Sequence, residues 1–82
     1  MAEHHLDAKD LICPLPILRA SKAMKPLPIG SLLHVEATDA ASPADFAAFC
    51  TATGNILRAS ESCGDVYRFI IEKVRADPPP KG

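Results

Sequence analysis

Cys13-Pro14-Leu15-Pro16-Ile17-Leu18-Arg19-Ala20 reads as the opening of an α-helix, and the presence of that helix decides how the rest of the chain folds. The first four backbone N–H groups of a helix have no intrahelical acceptor, so Pro14 and Pro16 remove donors that the first turn does not need. The N–H groups of Leu15 and Ile17 remain. With Cys13 at the N-cap, those donors and the positive end of the helix dipole point at its sulfur, which predicts a lowered thiol pKa and a reactive thiolate. Four residues of this kind also suit an extended, polyproline-like loop. The spacing that follows favours a helix from Pro14 to about Lys25, burying Ile17, Leu18, Ala20, Ser21 and Met24 and turning Arg19, Lys22 and Lys25 elsewhere. Pro26, Pro28 and Gly30 end it.

On the N-terminal side, Leu6-Asp7-Ala8-Lys9 is a strand candidate, and Asp10-Leu11-Ile12 delivers Cys13 to the helix. On the C-terminal side, Leu32 to Thr38 alternates, with Leu33, Val35 and Ala37 on one face and Leu32, His34 and Glu36 on the other. A second helix is punctuated by Ser42 as N-cap, Pro43 at the first helical position, Asp45 in the first turn and Gly54 just past the end. Phe46, Phe49, Cys50 and Thr53 form its apolar stripe. Asn55 to Glu61 and Val66 to Val74, joined by Ser62-Cys63-Gly64-Asp65, predict an antiparallel hairpin in which Tyr67, Phe69 and Ile71 point inward. The order is β-α-β-α-β-β. A helix between the first two strands makes them parallel, so the expected fold is an α/β two-layer sandwich: a four-stranded mixed sheet with two helices on one face. Residues 1–75 form a single domain and 76–82, with Pro78-Pro79-Pro80, a flexible C-terminal tail. Lys9, Cys13, Asp39 and the start of the second helix fall on the edge where the parallel strands end, the usual place for chemistry in such units.

Eighty-two residues support one core and no second lobe, since such chains bury only roughly 60% of their unfolded surface. A hydrophobic fraction of 48% with 23% charged residues fits a soluble globular protein. The longest apolar run is far short of a membrane span, and Met-Ala-Glu-His-His at the start is not a secretory signal, so a cytoplasmic location is expected. Net charge is −1 with both signs interspersed, which argues against stable nucleic-acid binding. Three cysteines, Cys13, Cys50 and Cys63, include no C-x-x-C pair and leave at least one thiol free. His4, His5 and His34 lack the spacing of metal ligands, so no metal or cofactor is expected.

Taken together, Leu6-Asp7, Leu11-Ile12-Cys13-Pro14-Leu15-Pro16, Ala37-Thr38-Asp39, Asp45-Phe46, Phe49-Cys50 and Thr53-Gly54-Asn55 make residues 6–74 resemble the TusA-like (SirA/YedF-type) sulfur carrier proteins. The resemblance implies a small cytoplasmic sulfurtransferase acting as a persulfide carrier. Cys13 accepts sulfur from a donor protein of the cysteine desulfurase or rhodanese type and hands it to an acceptor protein, in tRNA thiolation, cofactor biosynthesis or sulfur oxidation. Two positions depart from the family's habit of arginine and glycine before the motif. Lys9 keeps the charge without the planar fork, and Asp10 tolerates a left-handed backbone less easily and adds a negative charge.

On this reading Cys13 is the persulfide residue and Pro14, Leu15, Pro16 and Ile17 supply the helix N-terminus around it. Lys9, Arg19, Lys22 and Lys25 are candidate partner contacts, although a basic helix face is also simply solvated. Asp39 either supports the chemistry or serves as a turn residue. Asp45 is a first-turn acid facing the helix dipole, Cys50 is core, and Cys63 is a turn residue with no transfer role. A monomer is expected. A non-catalytic regulatory or nucleic-acid-binding module and a thiol-redox protein are the competing readings; the second needs a resolving cysteine near Cys13.

Overall fold

Alternation along the second strand sets the plane of the molecule, and the computed structural model, which describes residues 3–74, builds outward from it. Strand β2 (Leu32–Ala37) pairs in parallel with β1 (Glu3–Ala8) and antiparallel with β4 (Val66–Glu72). Strand β3 (Ile56–Cys63) pairs antiparallel with β4 on its far side, giving the order β1-β2-β4-β3. The two helices are α1 (Leu15–Met24) and α2 (Ser42–Thr53). They pack on the sheet and on each other, α1 over β1 and β2 and α2 over β3 and β4. The expected β-α-β-α-β-β two-layer fold is the observed one. The expected tail at 76–82 lies outside the described residues.

Leu33, Val35, Ala37, Phe69 and Ile71 are buried as their period-2 spacing predicts, and Leu33 and Val35 stand opposite Ile71 and Phe69 in the register. Phe46 from α2 stacks on Phe69 with ring centroids 4.6 Å apart, closing the core between helix and sheet. The opposite sheet face is polar: Arg68 pairs with Glu36 at 3.1 Å, His34 with Glu3 at 2.8 Å, and Arg58 with Glu72. Such exposed pairs contribute little to stability and keep that face wet.

Helix α1 differs from its expected orientation. Its inward ridge is Pro16, Ala20 and Met24, four residues apart, while Leu18 is 58% exposed. Leu18 lies about 200° around the helix from Pro16 and from Ala20, so once those small side chains face the sheet it must face out. In the hairpin, Cys63 is the last residue of β3, paired with Val66, and only Gly64 and Asp65 make the turn, with Gly64 at φ +62°. The expected four-residue turn is thus a two-residue one, which suits the twist of the strands.

The end of α1 is held by a residue with no sequence signal of its own. Lys73, 4% exposed, donates from Nζ to the carbonyls of Met24 (2.8 Å) and Lys25 (3.1 Å). A helix's last carbonyls lack intrahelical donors and carry partial negative charge, so a cation there satisfies both needs. Lys73→Ala leaves these carbonyls without this donor and is expected to destabilise the fold by about 1–3 kcal/mol in urea unfolding.

Candidate functional site around Cys13

Two loops at the carboxyl ends of β1 and β2 are stitched together by side chains of the second. Asp10 takes a left-handed backbone, φ +66°, and its N–H donates to Thr38 Oγ1 at 2.9 Å. The residue that departs from the family's glycine therefore does adopt the conformation for which glycine is suited. Asp39 uses both carboxylate oxygens: Oδ2 accepts the N–H of Cys13 at 2.5 Å and Oδ1 accepts that of Ala41 at 2.9 Å. Its own carbonyl accepts the N–H of Ser42 at 2.9 Å. Asp39 thus ties the Cys13 loop to the entry of α2.

This arrangement corrects both expected helix caps. Cys13 is not the N-cap of α1; Pro14 holds that position, without a side-chain cap bond. The Leu15 N–H that was expected to face the sulfur donates to the Ile12 carbonyl at 2.9 Å, closing a turn that leaves Cys13 outside the helix. Ser42 is not the cap of α2 either. It is the first helical residue, buried, and its Oγ has no hydrogen-bond partner among the described residues, while Ala41 occupies the cap position. Asp39 holds the entry of the helix instead, its carboxylate on the Ala41 N–H and its carbonyl on the Ser42 N–H. Gly54 ends α2 as expected, in the left-handed region at φ 77° with its N–H on the Cys50 carbonyl.

The Cys13 side chain is exposed, as attack on another protein's sulfur requires. Its acidity is the reverse of the expectation. A hydrogen bond to the Asp45 carboxylate, then desolvation, then the negative charges of Asp45 and Asp39 push the thiol pKa up from the ordinary cysteine value. Lys9, the basic residue nearest Cys13 in sequence, is engaged elsewhere, its ammonium 3.7 Å from Glu36 and 3.9 Å from Asp7. Asp45 is the residue that sequence reasoning missed. Its place in the first turn of a helix has a sufficient explanation in the dipole, and only the fold brings that turn against Cys13.

Asp39 is held below its ordinary pKa of 3.8, first by the Ala41 amide and then by the Cys13 amide. A carboxylate with a depressed folded-state pKa stabilises the fold above its unfolded value, and the contribution is lost as pH falls through the folded value. Asp39→Asn, which sets an amide NH2 against one of the two donors, is therefore expected to be less stable than the wild type at neutral pH. The gap closes as pH drops below 3.8, as urea titrations across that range would read.

An open groove between the helices runs away from the thiol, lined by Cys13, Pro14, Ile17, Asp45, Ala48, Phe49 and Ala52. On the chain leading into and along the first turns of α1, Ile12 (74%), Leu15 (45%) and Leu18 (58%) are exposed apolar side chains. Arg19, Lys22 and Lys25 are exposed further along α1. Cys50 is buried and its thiol is raised to about 11 by desolvation, which makes it inert; Cys63 is exposed at the hairpin end of β3. Among the described residues no group of three or more His, Cys, Asp or Glu is placed to hold a metal ion.

The family model "Sulfurtransferase TusA" matches residues 4–73. The chain is 48% identical over 71 residues to the sulfur carrier protein TusA of Allochromatium vinosum, an alignment that spans 87% of this chain and 93% of that protein. A SirA-like protein from Desulfitobacterium hafniense has the same fold, with a TM-score of 0.76 at 23% identity, covering 88% of this chain and 99% of that one.

Proposed function

This chain belongs to the TusA sulfurtransferase family, and we propose from that premise that it is a sulfur carrier whose Cys13 holds sulfur as a persulfide between two protein partners. The observation that carries the reading is the exposed Cys13 thiol, set at an apolar groove between the helices and fixed through its own amide by Asp39. The donor is a protein of the cysteine desulfurase or rhodanese type and the acceptor is a second protein of a thiolation, cofactor-biosynthesis or sulfur-oxidation route.

Cys13 thiolate attacks the terminal sulfur of the donor's persulfide. The donor's S–S bond breaks, a new S–S bond forms on Cys13, and the donor sulfur leaves as a thiolate that takes up the proton Cys13 gave. The sulfane sulfur moves without an external oxidant or reductant, and the same step in the opposite sense passes it on. A raised thiol pKa tempers this step. Each unit costs about tenfold in thiolate and returns roughly threefold in nucleophilicity, so the free thiol is slower than an acidic one by a modest factor.

Ile12, Leu15 and Leu18 supply the apolar part of the docking surface and Arg19, Lys22 and Lys25 its charged flank. A thiol-redox cycle through Cys50 is less well supported, because that thiol, on α2, is inert in the core. The test is intact-mass spectrometry with peptide mapping after incubation with a cysteine desulfurase and cysteine. One sulfur on the peptide containing Cys13, removable by an acceptor thiol, is expected; no adduct there from any persulfide donor rejects the carrier.

A further inference from the structure

The two side-chain charges that act on the Cys13 sulfur have one sign: Asp45 from the first turn of α2 and Asp39 from the loop between β2 and α2. Both Asp39 oxygens are already held by backbone amides. Asp45 is different: among the described residues it takes part in no ion pair, and its carboxylate lies beside the thiol on the wall of the apolar groove. The nearest basic side chain in sequence, Lys9, is engaged by Glu36 and Asp7. A carboxylate without a cation, on the wall of an open groove otherwise lined by Pro14, Ile17, Ala48, Phe49 and Ala52, with Ile12, Leu15 and Leu18 exposed on either side of Cys13 in the chain, offers a partner both a charge to pair and apolar surface to cover.

We propose that the mouth of the Cys13 site is shaped for a protein partner that presents a lysine or arginine within an apolar surround, and that this cation, on pairing with Asp45, draws the carboxylate off the thiol and releases the sulfur for transfer. The inference rests on the carrier reading and adds to it the chemistry of the partner and a gate. In the free protein the Asp45 carboxylate lowers the thiolate fraction of Cys13, and the thiol is the form less prone to oxidation and alkylation. In the complex the charge against the sulfur is neutralised, the thiolate fraction rises, and the proton of Cys13 ends on the donor's leaving sulfur. Docking and activation are then one event.

Asp45→Asn tests this, because it keeps the size of the side chain and a carbonyl acceptor while removing the charge; an unchanged melting temperature confirms its fold. Alkylation of free protein by iodoacetamide across pH, and sulfur loading from inorganic polysulfide, read the sulfur alone. Loading from a cysteine desulfurase with cysteine reads the sulfur together with a partner. The expected result is a pair of opposite changes. The alkylation profile shifts to lower pH, with alkylation and polysulfide loading faster at pH 7, while KM for the desulfurase rises roughly fivefold through loss of the intermolecular pair. An unshifted alkylation profile, or desulfurase loading that improves or stays the same, overturns the proposal while leaving Cys13 as the carrier. A wild-type protein that gains no sulfur at Cys13 from either source overturns the carrier reading and this inference together.

Discussion

Cys13→Ser is expected to lose all of the sulfur that the wild-type chain gains from a persulfide donor, while Cys50→Ala and Cys63→Ser retain it. The three thiols stand in three different environments, and the chemistry separates them. A serine oxygen forms no bond to sulfane sulfur under these conditions, so removing the reacting atom gives complete loss rather than a slower reaction. Cys50 is 3% exposed, with its thiol raised to about 11, and a donor cysteine cannot approach it in the folded state. Cys63 is open to solvent, so exposure alone does not distinguish it from Cys13. What distinguishes Cys13 is its setting: an amide clamped by Asp39, a carboxylate beside the sulfur, and a place on the apolar groove between the helices, with Ile12 and Leu15 exposed on either side of it in the chain. Intact-mass measurement on the three variants after desulfurase and cysteine reads the result. Sulfur retained in Cys13→Ser would move the function to Cys63.

The fold was legible because its signals are periodic. Leu33, Val35 and Ala37 alternate, the prolines and glycines punctuate the helices, and a helix between two strands leaves one handed way to connect them. The site was legible only as far as Cys13 and its neighbours in sequence. Two residues that shape its chemistry have adequate local explanations that conceal their tertiary ones: Asp39 passes for a turn residue and Asp45 for a partner of the helix dipole. The sign of the thiol's pKa shift was missed for the same reason, since a helix-start motif reports the dipole and says nothing of carboxylates brought in by a later helix. Cap positions failed by a neighbouring residue at each helix. A single turn closed by Leu15 on Ile12, and Asp39 holding the N–H groups of Ala41 and Ser42, were enough to shift them. Lys73 has no local pattern at all, because its acceptors lie at the end of a helix 48 residues or more away in sequence.

Phe46→Ala is expected to cost about 3–5 kcal/mol, the range for truncating a large aromatic side chain in a packed core. Phe46 is fully buried, stacked on Phe69 of β4 at 4.6 Å and edge-on to Phe49 at 6.3 Å, so its ring is a principal contact through which α2 sits on the sheet. A domain of this size has about 4–12 kcal/mol of total stability, which makes the loss a large share of the whole and lowers the melting temperature by more than about 12 °C. Phe49→Ala, at the half-buried edge of the same cluster, provides the control with a smaller drop. The consequence extends to the site, since Asp45 precedes Phe46 in the chain and its position beside Cys13 depends on α2 being seated. In Phe46→Ala protein that is still folded, the Cys13 thiol is therefore expected to alkylate at lower pH than in the wild type, as it does in Asp45→Asn. A thermal melt paired with the alkylation profile measures both effects. If the melt falls as stated but the profile does not move, the carboxylate is held by contacts other than the docking of its helix, and core packing and thiol chemistry are separable.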